Sequence, residues 1–280
     1  IPFASGSYGI QFDTTKFPQF AIPRLHQMYS NFSEKVRTIK EIKSLGRKVS
    51  LDGEEYDFVV DCRGYPEDYS DYIISDKVYL DSAIAIRSYT PGDWEYTYHI
   101  AHKNGWMFGL PLKSRTGWGY LYNSKITSQL EAQDDVAKIL EEYQVEFHSK
   151  DCREFSFKNY YAKSVMNEDG NIFVNGNRAL FLEPIQATSL GCYGLINEMI
   201  LDRIENDRYD NENYHKIMTE VIAFINLHYY SGSDFDTPFW NMAQQGAKEL
   251  FKGMDVSKYD WNHILDWNPQ FRRQMFDNFL

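Results

Sequence analysis

The stretch best suited to chemistry runs from Asn171 to Gly194, NIFVNGNRALFLEPIQATSLGCYG. Thr188 and Ser189 stand where a helix is predicted to begin, with Leu195, Ile196, Met199 and Ile200 at helical spacing behind them. A helix start offers unpaired backbone N–H groups and the positive end of a dipole, so this is a place for an anion. The elements that must position it come just before. Ile172, Phe173 and Val174 read as a short buried strand. Asn175-Gly176-Asn177 is turn chemistry, tolerant of positive φ. Phe181 to Pro184 is predicted extended, because a residue before proline is pushed out of the α region. Alone, the stretch is also readable as an ordinary strand-loop-helix corner of an α/β protein.

The other elements fall around it. Residues 8 to 13 lead into a helix carrying Phe17, Phe20, Leu25 and Met28, and residues 33 to 48 are charged strand and turn. Leu51-Asp52-Gly53-Glu54 is a hairpin turn, and Tyr56 to Asp61 reads as a buried strand entering Cys62-Arg63-Gly64. Residues 78 to 124 alternate as several antiparallel strands, with Trp106 to Leu112 and Gly117 to Asn123 as a pair. Ser128 to Glu146 is an amphipathic helix with Leu130, Val136, Ile139 and Leu140 inside, and its acidic run Glu131 to Asp135 reads as a solvated face. After Gly191 the chain is mostly helical, including Tyr214 to Tyr230, where His228 reads as a hydrogen-bonded helix-end histidine.

The totals exclude several classes. A net charge of −11 argues against nonspecific nucleic-acid binding. Cys62, Cys152 and Cys192 have neither CxxC spacing nor a histidine cluster, so neither a disulfide framework nor a metal site is indicated. No apolar run approaches the ~18 residues of a membrane span, and no signal peptide is visible, so a cytoplasmic setting is expected. The aromatic share of 16% suits a protein that binds flat ligands, as it would a large buried sheet. The chain opens at Ile1 without Met and contains no GxGxxG, which leads to the expectation of a missing N-terminal part.

Several segments in order resemble the flavin-dependent halogenases of the tryptophan-halogenase type. Phe181, Leu182, Glu183, Pro184 and Thr188 match that family's Phe-Leu/Val-Glu-Pro-Leu-Glu-Ser-Thr-Gly/Ser run, with Gln186 at its second Glu and Ala187 at its Ser. Asp61-Cys62-Arg63-Gly64 resembles the strand and Asp-Gly turn of flavin monooxygenases. Gly105 to Pro111 resembles the family's Gly-Trp-x-Trp-x-Ile-Pro, with Phe108 at the second Trp and Leu110 at the Ile. Arg115 to Tyr122 resembles its Arg-x-Gly-x-Gly-Tyr hairpin, and Asp236 to Trp240 its segment after a His-Tyr pair.

The resemblance implies a mixed α/β (α+β) fold of flavin monooxygenase and halogenase type. It would lack the N-terminal Rossmann βαβ and carry an antiparallel sheet and a helical C-terminal part. Residues 1–200 would be the remainder of the FAD-binding domain, with the sheet inserted at about 71–125, and residues 201–280 the helical substrate side. The implied chemistry is oxidation of halide through a flavin hydroperoxide to hypohalous acid, which halogenates an electron-rich aromatic of indole, phenol or pyrrole type. Thr188 and Ser189 would bind halide; Asp61, Gly64, Gly176, Asn177, Leu182, Pro184 and Leu190 would bind FAD; Trp106 and Phe108 would wall the passage to substrate. Gln186 takes the position of the catalytic Glu, and a carboxamide positions groups but does not shuttle a proton at neutral pH. Either another residue does that work, or the substrate does not need it, or activity is low. A separate flavin reductase is implied as partner, and the resemblance leaves room for a homodimer. The alternatives are an FAD-dependent aromatic monooxygenase and a non-catalytic remnant or binding module.

Overall fold

A five-stranded antiparallel sheet lies at the centre of the chain, and most other elements are arranged on its two faces. The computed structural model describes residues 11–230 and 232–254. Tyr8-Gly9-Ile10, Ser231 of the segment after His228, and the expected helical stretch from residue 255 onward lie outside the described residues. In chain order come α1 (Phe17–Met28), β1 (Ile42–Ser44), β2 (Val49–Leu51), β3 (Glu54–Tyr56), β4 (Val59–Asp61) and β5 (Tyr72–Ile74). Then follow β6 (Ser82–Ser88), β7 (Tyr98–His102), β8 (Gly105–Leu112), β9 (Arg115–Tyr122), α2 (Gln129–Glu142), β10 (Cys152–Ser156) and β11 (Tyr160–Ala162). β12 (Ile172–Val174), β13 (Leu180–Phe181), α3 (Thr188–Asn206), α4 (Asn211–Tyr230) and α5 (Pro238–Gly253) complete it. The fold is mixed α/β, as expected. Among the described residues no helix is long and apolar enough to cross a membrane.

The central sheet has the order β10-β6-β9-β8-β7. Period-two alternation sends Ile84, Ile86, Met107, Trp118 and Tyr120 to one face, where α2 covers them with Ala132, Val136, Ile139 and Leu140. Ala83, Trp106 and Leu121 face the other way, into the larger core with α3, α4 and α5. Glycines make room for the rings. A Cβ on Gly119 would lie 2.3 Å from Phe108, and one on Gly109 would lie 2.5 Å from Trp118. Gly105 is tighter still, because its Cβ would sit 1.9 Å from the backbone oxygen of Leu121 on the paired strand. Backbone cannot rotate away as a side chain can, so Gly105→Ala is expected to cost about 2 kcal/mol of stability. Chemical denaturation checks this; an unchanged midpoint would show that the strands separate freely there.

A smaller parallel pair matters for the site. β12 runs parallel to β4 with Phe173 opposite Val60 and Val174 opposite Asp61. The expected strand over Tyr56 to Asp61 needs correction: Tyr56 closes β3, only Val59–Asp61 form β4, and Phe58 and Val60 are 41% and 43% exposed. Phe58 and Val60 are two apart and so share one face, which this two-stranded pair leaves uncovered among the described residues. β2 and β3 turn through Asp52 and Gly53, both at positive φ, as a two-residue hairpin requires.

Helix α2 brings two further corrections. It opens on the capping box of Ser128 and Glu131, but Leu130 is 77% exposed. The inner stripe runs Ala132, Asp135, Val136, Ile139, Leu140, and Leu130 is two positions, roughly 200°, off that stripe. Asp135, expected in solvent, is buried. It accepts from the Tyr120 hydroxyl at 2.7 Å and the Asn104 side-chain amide at 3.0 Å, and lies 3.0 Å from His102 Nδ1. The carboxylate ties α2 to the β7–β8 turn.

Candidate active site

At the carboxyl ends of β4 and β12 the chain makes two open turns side by side. Gly64 has φ +82 and a Cβ there would meet nothing within 4 Å; Gly176 has φ +60 and its Cβ would come only to 4.0 Å from Cys62. The Asn175 N–H donates to Asp61 O at 3.1 Å and joins the two turns. Bare backbone at the ends of adjacent parallel strands is where such sheets admit a cofactor closely. Asp61 is buried beneath: Arg63 grips it through Nε and Nη2, each at 2.9 Å, and Arg178 Nε lies at 3.4 Å. Burial drives the Asp61 carboxyl upward, but the Arg63 bonds and both guanidinium charges outweigh it and hold it below the usual carboxylate range. Asn177 is fixed as well, with Tyr193 donating to its Oδ1 at 2.5 Å and Tyr160 donating to its carbonyl.

The turn after Gly176 delivers the loop to α3. Leu182 is fully buried in the core, so it meets a ligand only through backbone. That backbone is latched to Ser189, whose Oγ accepts from Leu182 N–H and donates to Leu182 O, both at 3.2 Å. Pro184 follows and leads into a single 3₁₀ turn, Ile185–Ala187. Gln186 and Ala187 both sit in the left-handed region, at φ 55 and 54, in succession and without glycine. Each costs roughly 1–2 kcal/mol, so this joint holds strain, as functional loops do. Gln186 is exposed, and Leu190 is 58% exposed on the first turn of α3. Thr188 is buried, and its amide and hydroxyl both donate to Ile185 O. In this conformation neither Thr188 group is offered to an anion.

Trp106 comes to the same loop from the sheet. Its Nε1–H donates to Tyr229 Oη at 3.1 Å, and Tyr229 O–H donates to Glu183 Oε1 at 2.6 Å. Phe108 lies beside Trp106 at a ring distance of 6.2 Å, and His99, the cross-strand partner of Phe108, lies 5.7 Å from Trp106. Burial lowers both His99 and His228, and His228 falls to about 4. Its Nδ1 lies 3.0 Å from Phe224 O, the helix-end arrangement expected. Trp240 donates to His102 O at 2.6 Å and Thr237 to Lys103 O at 2.7 Å, which pins the start of α5 to the sheet.

Two groups are therefore assembled: Asp61, Gly64, Gly176 and Asn177 at the strand ends, and Trp106, Phe108, Glu183 and Tyr229 packed together beside the loop. The run Leu182 to Leu190 links them. Glu183 and Tyr229 were missed as site residues, although the Glu-Pro of the loop and the His-Tyr pair were both visible as motifs.

Open glycine turns at the ends of parallel strands, joined by a strained loop to a cluster of aromatic rings, make a site that a flat cofactor could approach closely. Comparison with known proteins is consistent with such a site and gives its class. A sequence model of the tryptophan halogenase family matches residues 11–263. Tryptophan 7-halogenase RebH of Lentzea aerocolonigenes is 26% identical over 207 residues, covering 66% of this chain and 37% of that protein. The solved tryptophan 6-halogenase SttH of Streptomyces toxytricini superposes with a TM-score of 0.66 at 20% identity, over 86% of this chain and 51% of that one. The flavin-dependent halogenase BrvH of Brevundimonas sp. BAL3 gives 0.65 at 23% identity, over 84% and 51%. The chain belongs to the tryptophan halogenase family, and it spans about half or less of the length of these relatives.

Proposed function

We propose that this chain belongs to an FAD-dependent halogenase that replaces hydrogen by halogen on an electron-rich aromatic of indole, phenol or pyrrole type. The observation that carries the reading is the union of the Phe181–Ser189 loop with the tryptophan wall through Glu183, Tyr229 and Trp106. The family membership and the flavin-dependent halogenases among its structural neighbours support it. Asp61, Gly64, Gly176 and Asn177, with the backbone of Leu182 and Pro184 and the exposed Leu190, would hold the flavin. Reduced flavin with dioxygen supplies the oxidising equivalent that turns halide into hypohalous acid. Halide is held at the start of α3 by Thr188 and Ser189, which requires the Thr188–Ile185 contact to open about the left-handed joint at Gln186 and Ala187. Trp106 and Phe108 keep water and substrate from the flavin side. Gln186 orients the aromatic or the oxidant through its amide, with no titratable proton of its own. On this reading residues 1–200 are the cofactor side and 201–280 the substrate side of a cytoplasmic enzyme, dimeric or not, served by a separate flavin reductase.

The test supplies the intact protein with FAD, a reductase, dioxygen, bromide and a panel of indoles, phenols and pyrroles. A product with the paired isotopic masses of bromine is expected. A product that gains only oxygen would favour a monooxygenase, and no product despite bound flavin would remove the reading.

A further inference from the structure

Among the described residues, Glu183 is a buried acid whose carboxyl is given no chemical step by the functional reading. It lies on the loop between the strand ends and α3, and it is fully buried. Its Oε1 accepts from Tyr229, while its Oε2 accepts no hydrogen bond of good geometry. Placing a carboxyl in such a setting is unfavourable and needs a compensating use. Tyr229, on α4, has one hydroxyl and spends both of its capacities here: it donates to Glu183 and accepts from Trp106. Three elements distant in sequence, the loop, α4 and β8, thus meet on one phenol oxygen. The rings of Tyr79, Phe239 and Trp240 pack around Tyr229 at 5.4, 6.2 and 6.0 Å.

We propose that Glu183 and Tyr229 are positioning residues, which lock the indole edge of Trp106 to the loop that carries Gln186 and Thr188. The indole ring has two broad χ2 orientations that fill similar volume, and packing alone chooses weakly between them. The N–H to Oη bond selects one. Because the same oxygen is bonded to Glu183, the wall and the halide-side loop keep a fixed relation. The titratable groups facing this unit are Tyr79 beside Glu183, and His99 and His228 on the Trp106 side; the α5 rings that contact it bring none. The role in the reaction rests on the halogenase reading, whereas the lock itself does not.

The intact protein labelled with 5-fluorotryptophan tests it, with the Trp106 fluorine resonance assigned by Trp106→Phe. Tyr229→Phe and Glu183→Leu are expected to move or split that resonance while Trp94 and Trp118, in the cluster on the other face of the sheet, hold, and Glu183→Gln, which retains an acceptor, to leave it in place. If Tyr229→Phe fails to fold, Glu183→Leu is read at the same resonance. In turnover, the ratio of halogenated product to hypohalous acid caught by a free diketone trap should fall about tenfold in Tyr229→Phe, the worth of one buried hydrogen bond. A Trp106 resonance unmoved in both disrupting variants, with native circular dichroism, overturns the proposal. Absence of product from the unaltered protein, with the resonance still displaced in the variants, counts against the halogenase reading and for the lock.

Discussion

Gln186→Glu is expected to raise the rate of aromatic halogenation about a hundredfold, the lower end of what a positioned acid or base contributes. Gln186 is exposed and already sits at φ 55, a conformation glutamate tolerates no worse than glutamine, so the exchange breaks no packing. What changes is the chemistry on offer. Glutamine donates and accepts hydrogen bonds but carries no proton that leaves near neutrality, whereas glutamate takes a proton from the ring as halogen adds. The variant should also acquire an acid limb in its pH–rate profile near the ordinary carboxylate value of about 4.3, absent from the unaltered protein. Single-turnover rates with reduced flavin separate this from any change in flavin supply. An unchanged rate and profile, with a loss in Gln186→Ala, would mean that the site works by orientation alone and that its substrate needs no carboxylate.

The same residues show how far the sequence could be read. Trp106, Phe108, Gly109, Trp118 and Gly119 alternate, and period-two alternation with glycines opposite rings has one good solution, the β8–β9 hairpin that forms. The Phe181–Ser189 run was legible because proline, an extended segment and a helix start are local signals. Asp135 was not. Helical spacing puts it, unlike Asp134, on the inner stripe, but an acid there needs buried partners, and those are Tyr120 and Asn104, which arrive from the sheet. Leu130 failed for the converse reason, since an apolar residue off the buried stripe has no neighbour to cover it. The left-handed pair Gln186–Ala187 carries no glycine to announce it, because the flanking latches at Ser189 and Thr188 impose the strain from outside. Glu183 belongs with Asp135. Its partners are 46 residues away in one case and, through Tyr229, on a strand before it in the other.

That burial makes Glu183 the largest single contributor expected, among the described residues, to the pH dependence of stability between about pH 4.5 and 8. Burial pushes its carboxyl up to about 8, against the pull of the Tyr229 O–H and the nearby Leu80 N–H. The ordinary value of 4.5 describes the unfolded chain. The folded state therefore holds this proton more tightly than the unfolded state does, and the sign follows. The contribution is fully present below about pH 4.5 and declines as pH rises through about 8. At ~1.4 kcal/mol per pH unit, the decline across that window is on the order of 5 kcal/mol. His228 works in the opposite sense lower down: with its imidazole held to about 4, stability rises between there and the unfolded value of 6.5. The raw profile is thus a sum of slopes, and the informative quantity is the difference between the unaltered protein and Glu183→Gln, which keeps the acceptor for Tyr229 but cannot ionise. The two should be about equally stable at pH 4.5 and diverge steadily to pH 8, where the glutamine variant is the more stable by several kcal/mol. Urea unfolding at intervals across that range measures it. Parallel curves would mean that Glu183 is ionised in the folded protein and that the charge reaches water or a cation. In that event the Tyr229–Trp106 chain would end on a carboxylate, a stronger acceptor, and the indole would be held more firmly at neutral pH than a protonated carboxyl allows.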